Sequence, residues 1–296
     1  LRGPATANLV TNLNSSIDQW NHVAATFDGS NLRLYINGRE GTPAVFSGSN
    51  ADRNGDFFIG GTTSTDQNNF QIDEIRFWNV ARTVSQIRLN MNLVTKNLEP
   101  NLINYWQFNE STNSLEGKDL VGDNYLQRSN STLTNWVEAS DPVGDGVANL
   151  QTVTTGSLVN FTNTGVQVLF GANNPNGEVV VTRLQNVLPF EGDNLNITEI
   201  PPSIYDGRDL SSNYWIINNF GNTANLTPME VTFTIDETLF NSATQANKFI
   251  LHKRPTGSTG RWLNDYFGAQ IGGALGNRFV KFGGITGFSQ NVISAN

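Results

Sequence analysis

The chain has 296 residues, 38% of them hydrophobic, 10% aromatic and only 15% charged, with a formal net charge of −8. That length admits one large or two ordinary domains with real cores, and low charge amid abundant Asn, Thr, Ser and Gly suits an all-β extracellular surface better than a cytosolic helical enzyme. Fourteen acids meet ten bases up to residue 140 and twelve meet eight after it, without a basic run, which speaks against nucleic acid and anionic lipid as partners.

Cysteine is absent, so disulfides and thiol chemistry are excluded. Because secreted animal proteins so often carry disulfides, the absence leans toward a bacterial exported protein. No stretch approaches the ~20 apolar residues of a membrane span.

In chain order, Val23-Ala-Ala-Thr-Phe reads as a strand ending at the Asp28-Gly29 turn. Leu32, Leu34 and Ile36 alternate with Arg33 and Tyr35 up to an Asn37-Gly38 turn, where positive φ suits both residues. Phe57-Phe58-Ile59 is a short apolar strand. Phe70 to Trp78 alternates with apolar groups on both faces, as in a strand inside a sandwich. Thr83 with Gln86 forms a capping box, and Val84, Ile87 and Met91 recur at helical spacing, which predicts a helix over about residues 83–92. Leu102 to Phe108 returns to strand, and Ser111 to Ser131 is a polar wrap along the sandwich edge.

Pro142 and its neighbouring glycines mark a linker over 138–146, dividing a module at 1–137 from one at 147–296. The second module shows strands at Leu158-Val-Asn-Phe, Val166 to Phe170, Val179 to Thr182, Tyr214 to Ile217, Val231 to Ile235, Phe249 to His252 and Phe279 to Phe282. Their turn-separated spacing predicts a second antiparallel sandwich, with Gly284 to Gln290 as its last strand region and Asn291 to Asn296 as the exit.

Three motifs carry a resemblance. Trp20-Asn-His-Val-Ala, the Leu34-Tyr-Ile-Asn-Gly hairpin and Ile72-Asp-Glu-Ile-Arg-Phe-Trp-Asn with its trailing Arg82-Thr83 stand in the order seen in laminin-G-like, concanavalin-A-like (pentraxin-type) jelly rolls. The resemblance covers residues 8–110 and implies a partial jelly roll. The family's first half should precede Trp20, so the missing strands are expected from an upstream segment or from a second chain of the same precursor. Leu32, Leu34, Ile36, Ile75 and Phe77 would need such a facing sheet. Residues 146–296, through Asn213-Tyr-Trp-Ile-Ile, Phe249-Ile-Leu-His-Lys-Arg, Arg261-Trp and Gly284-Ile-Thr-Gly-Phe-Ser-Gln, resemble a module near the C-termini of large Bacteroidota surface proteins, either Ig-like or jelly-roll-like. That resemblance implies export by the type IX secretion machinery and a secreted or cell-surface location.

Asp73-Glu74 is the best acidic pair, but neighbours on a strand point to opposite faces and cannot act as the two carboxylates of a glycosidase. One reading of Asp73 is structural, an acceptor for backbone amides. The other, implied by the resemblance, is a ligand to structural Ca²⁺, with the loop acids Asp119 and Asp123 contributing oxygens. His22 sits inside a strand motif and reads as a packing or hydrogen-bonding residue; His252 reads as solvated beside Lys253-Arg254. No Gly-x-Ser-x-Gly, spaced His pair or phosphate loop is present, so no catalytic residue is named. Trp20, Trp78 and Trp106 read as core. Trp136, Trp215 and Trp262 are undetermined, with Trp262 placed on a loop, and the ligand-binding residues stay open. The function expected is a non-catalytic segment that binds surface glycans or mediates adhesion, gliding-associated in one version. The alternatives are the C-terminal appendage of a polysaccharide-degrading enzyme and a structural spacer.

Overall fold

The structure, a computed structural model, describes residues 15–45, 59, 70–96, 99–110, 114–127, 136–137, 141–154, 156–172, 175–185, 209–221, 227–258 and 262–295. It is all-β, with 47% of the described residues in strands and 7% in helix. The Phe57-Phe58-Ile59 expectation falls largely outside the described residues.

In the first module β1 (Val23–Phe27), β2 (Asn31–Ile36), β3 (Arg39–Glu40) and β4 (Ala44–Val45) form an antiparallel sheet, with β2 pairing all three others. The Asn37-Gly38 turn forms as read, with φ of 50° and 71°. Strand β5 (Ile75–Trp78) pairs with β6 (Leu102–Trp106) across the helix α1 (Val84–Asn90). The capping box of Thr83 and Gln86 is complete, and Ile87 and Met91 are buried. The strand expected from Phe70 is shorter than its alternation suggested: Glu74 takes a left-handed φ of 55°, which an extended ladder cannot continue. Phe70 and Ile72 are left exposed. Short β7 (Glu116–Gly117) and β8 (Leu126–Gln127) pair within the polar wrap. Of the five side chains expected to need a facing sheet, Leu32 is buried and the other four are half-buried.

The second module is a two-sheet antiparallel sandwich. One sheet has six strands in the order β16 (Leu263–Phe267), β15 (Phe249–Arg254), β19 (Gln290–Ala295), β13 (Asp209–Asn219), β12 (Gly177–Gln185) and β9 (Gly146–Val153). The other has five, ordered β10 (Leu158–Phe161), β11 (Val166–Leu169), β14 (Met229–Thr234), β18 (Phe279–Ile285) and β17 (Gln270–Gly272). A helix α2 (Glu237–Ser242) and one turn of 3₁₀ helix connect β14 to β15. The core interdigitates Phe161, Val168, Val231, Phe233 and Phe282 from the five-stranded sheet with Val181, Trp215, Ile217, Leu251 and Ile293 from the six-stranded one. Trp215 and Phe233 stand 4.9 Å apart between ring centroids.

The C-terminus departs from the sequence reading. Residues 290–295 are no exit; they form β19, hydrogen-bonded between β13 and β15. Gln290 holds its start: the side chain accepts from Tyr214 Oη and Arg254 Nε, and donates to the carbonyls of Pro255, Thr256 and Ser258.

The modules touch. Residues 92–96 and 142–145 are joined by Val94 N to Gly144 O (3.0 Å), Asn92 Nδ2 to Pro142 O (2.8 Å) and a Lys96–Asp145 ion pair. Arg88 pairs with Glu178, Arg39 Nη2 donates to Asn219 O at 2.7 Å, and Trp20 N donates to Gly257 O at 2.9 Å. The Phe220 ring lies under both guanidiniums, 4.2 Å from Arg88 and 5.9 Å from Arg39.

Candidate functional site

The first-module motif residues resolve into a lock. Arg76 donates to Asn90 O at the end of α1 and to Leu93 O just beyond it, and pairs with Glu74 at 2.5 Å. Tyr105 Oη, on the neighbouring strand, donates to the same Glu74 oxygen at 2.6 Å. Burial and this carboxylate push the Tyr105 phenol up to about 12. The motif thus ties β5, β6 and α1 together, and both charges are consumed in doing so.

Around the lock lie further acids. Burial, then the like charge of Asp141, pushes Asp73 up to about 7. Burial and Glu74 push Asp141 up to about 6. Asp73 does accept a backbone amide, from Glu74 at 2.8 Å, as its structural reading requires. An acid half-protonated near neutrality has the electrostatics of a general acid. Its nearest carboxylate neighbour in sequence, Glu74, is however bound to Arg76 and Tyr105.

Asp119 is not grouped with them. It accepts from Tyr105 N at 3.0 Å, Asn104 Nδ2 at 2.6 Å and Val121 N at 3.0 Å. Burial opposes its ionisation, but these donors prevail and hold its carboxyl below the ordinary value. Asp123 is exposed. Among the described residues no group of three or more His, Asp or Glu side chains could hold a metal ion, so Asp73, Asp119 and Asp123 are not brought together.

His22 is packed as read: burial, then Arg76, lowers its imidazole to about 4. His252 is not solvated. It is fully buried on the outer side of β15 and shares a 2.9 Å hydrogen bond with Ser294; the apparent surface setting came from Lys253 and Arg254, which are themselves buried. Trp215 and Trp262 are buried, the latter under Arg254 at 4.6 Å, so Trp262 offers no exposed ring. Trp106 is buried, while Trp20 and Trp78 are half-buried. Trp136 donates to Ser114 O and leans on Phe108.

What sequence reasoning missed lies on the outer face of the five-stranded sheet. Strand alternation puts Val166, Val168, Val231 and Phe233 inward and leaves polar residues outward. Register then aligns them: Asn160 faces Gln167, Gln167 faces Thr232, Thr232 faces Lys281 and Lys281 faces Gln270. One polar residue from each of five strands makes a continuous row, about 19 Å long at ~4.8 Å per strand step. Asn160, Gln167, Thr232, Thr234, Gln270, Phe279 and Lys281 line a depression of about 340 Å³ over this row. Amides and a hydroxyl in line supply alternating donors and acceptors.

Comparison with known proteins covers the first module only: a family profile described as the concanavalin A-like lectin/glucanases superfamily matches residues 2–88. No curated protein and no solved structure matches the chain. Residues 2–88 are therefore similar to a superfamily that holds both lectins and glucanases.

Proposed function

We propose that this chain is a non-catalytic, glycan-binding segment of an exported bacterial protein, acting in adhesion to carbohydrate surfaces. The observation that carries the reading is the five-strand row of Asn160, Gln167, Thr232, Lys281 and Gln270 in an open depression. Glycans present many hydroxyls, each donor and acceptor, and a row of side-chain amides answers them over an extended length. The superfamily likeness of residues 2–88 agrees with carbohydrate as the ligand class, and no helix among the described residues is long and apolar enough to cross a membrane. The resemblance of residues 146–296 to Bacteroidota surface modules supports type IX export, with gliding or attachment as the setting.

A glycan array probed with the full chain tests this. At least one glycan should be retained, and incubation should release no reducing ends. A blank array overturns the reading. Reducing-end release overturns its non-catalytic part and would favour a glucanase.

A further inference from the structure

Deepening that reading, we infer that the depression on the five-stranded sheet takes a neutral pyranose chain laid across the strands, with Phe279 as its stacking platform. The inference rests on the glycan-binding proposal for this site.

The platform is built by a glycine. Phe279 and Gly272 are cross-strand partners. A Cβ placed on Gly272 would stand 2.7 Å from Phe279 Cζ and 2.9 Å from Cε1. The ring therefore lies down over the bare backbone of β17 instead of standing up from the sheet, an arrangement that covers a strand glycine with an aromatic. One ring face is occupied by Gly272; the ring is half-buried and lines the depression. A flat aromatic face with partial negative charge attracts the slightly positive C–H edges on the face of a pyranose. The neighbouring row meets that sugar's equatorial hydroxyls.

Charge sets the class. Among the described residues Lys281 is the one cation lining the depression, and Glu230, exposed on the same face of the adjacent strand, holds its ammonium at 3.3 Å. Glu230 is also the partner of Leu169 in the next row, where Leu158 and Leu169 form an exposed apolar rim. Lys281 and Glu230 cancel, and the protein around them is acidic, with a net charge of −8. A polyuronate or sulfated chain would meet no uncompensated cation in the row, whereas a neutral chain needs none.

The test is affinity electrophoresis of the full chain in gels containing neutral polysaccharides (mixed-linkage β-glucan, xyloglucan, galactomannan) or acidic ones (polygalacturonate, alginate). Retardation by a neutral polymer is expected. Phe279→Ala should weaken it roughly fivefold, since one aromatic stack is worth about 1 kcal/mol and 1.4 kcal/mol is tenfold. Gln167→Ala should weaken it by several fold. Gly272→Ala should do so by lifting the ring, and this variant keeps the inference testable if Phe279→Ala fails to fold by circular dichroism. Retardation by the acidic polymers alone overturns the class, and neutral binding indifferent to all three variants overturns the site; both leave the glycan reading standing. Retardation by none of the five, together with a blank array, overturns the glycan reading itself.

Discussion

Gly38→Ala should destabilise the protein through two separable effects. Gly38 has φ of +71°, where a Cβ costs about 1–2 kcal/mol. The added methyl would also stand 3.0 Å from Arg88 Cγ in its own module and 2.7 Å from Phe220 Cε1, a collision across the seam between the modules. Overpacking of this kind costs about 1–3 kcal/mol. The sum, about 2–5 kcal/mol, should be read from urea denaturation midpoints at unchanged slope. Phe220→Ala separates the parts. In that background Gly38→Ala should retain its backbone cost and its contact with Arg88 but lose the collision with Phe220, so the cycle should show a coupling of about 1–3 kcal/mol. Equal costs with and without Phe220 would refute the packing of the Asn37-Gly38 turn against the second module.

Removing Arg76 (Arg76→Met) should cost about 3–5 kcal/mol by denaturant unfolding, because Glu74, with a side chain only 12% exposed, would be left buried without its cation. Asp73 and Asp141 are raised to about 7 and about 6 from an ordinary 3.8, so the folded form holds protons that the unfolded form has released between about pH 4 and 7. Their contribution to stability must fall as pH rises through that window. His22, lowered to about 4, works in the opposite sense between about pH 4 and its ordinary 6.5. Asp141→Asn should therefore raise the melting temperature at pH 8 more than at pH 4.5, and an equal shift at both would reject the raised carboxyl. Asp119→Ala should lower stability by the same amount with and without a chelator, because its oxygens are engaged by amide donors. A chelator-induced drop in melting temperature that vanishes in Asp73→Ala would instead establish calcium at Asp73.

Much of the scaffold was legible because it depends on neighbours in sequence. The Asn37-Gly38 turn and the Thr83/Gln86 capping box are local chemistry, and both formed where the residues stand. The second module's strands likewise followed their alternation. The misreadings share a cause. Phe70 to Trp78 alternates throughout, yet Glu74 leaves the extended region to reach Arg76 and Tyr105, and no periodicity encodes that. His252 and Asn291 look like surface residues in sequence, yet both are buried. Arg88, Glu178 and Phe220 lie 90 or more residues from their partners or meet them only across the seam. The polar row was invisible for the same reason. Each member is an ordinary outward residue on its own strand, and only the register of five strands sets Asn160, Gln167, Thr232, Lys281 and Gln270 side by side.

That register also favours this face for the proposed ligand. An antiparallel sandwich usually offers two outer faces to water. Here the outer face of the six-stranded sheet is closed: Val180, Thr182, Leu184, Tyr214, Ile216, His252, Gln290, Val292 and Ser294 are all 2% exposed or less, and Leu93 of the first module packs against its apolar cluster. In the first module, Glu74, Arg76 and Tyr105 are bound to one another in the lock. Side chains already satisfied within the fold have little to gain from a ligand, because binding would only exchange one set of hydrogen bonds for another. The outer face of the five-stranded sheet is different. Asn160 and Gln270 are exposed, Gln167, Thr232 and Thr234 are half-exposed, and Phe279 keeps one ring face uncovered by Gly272. A ligand there would replace water rather than protein.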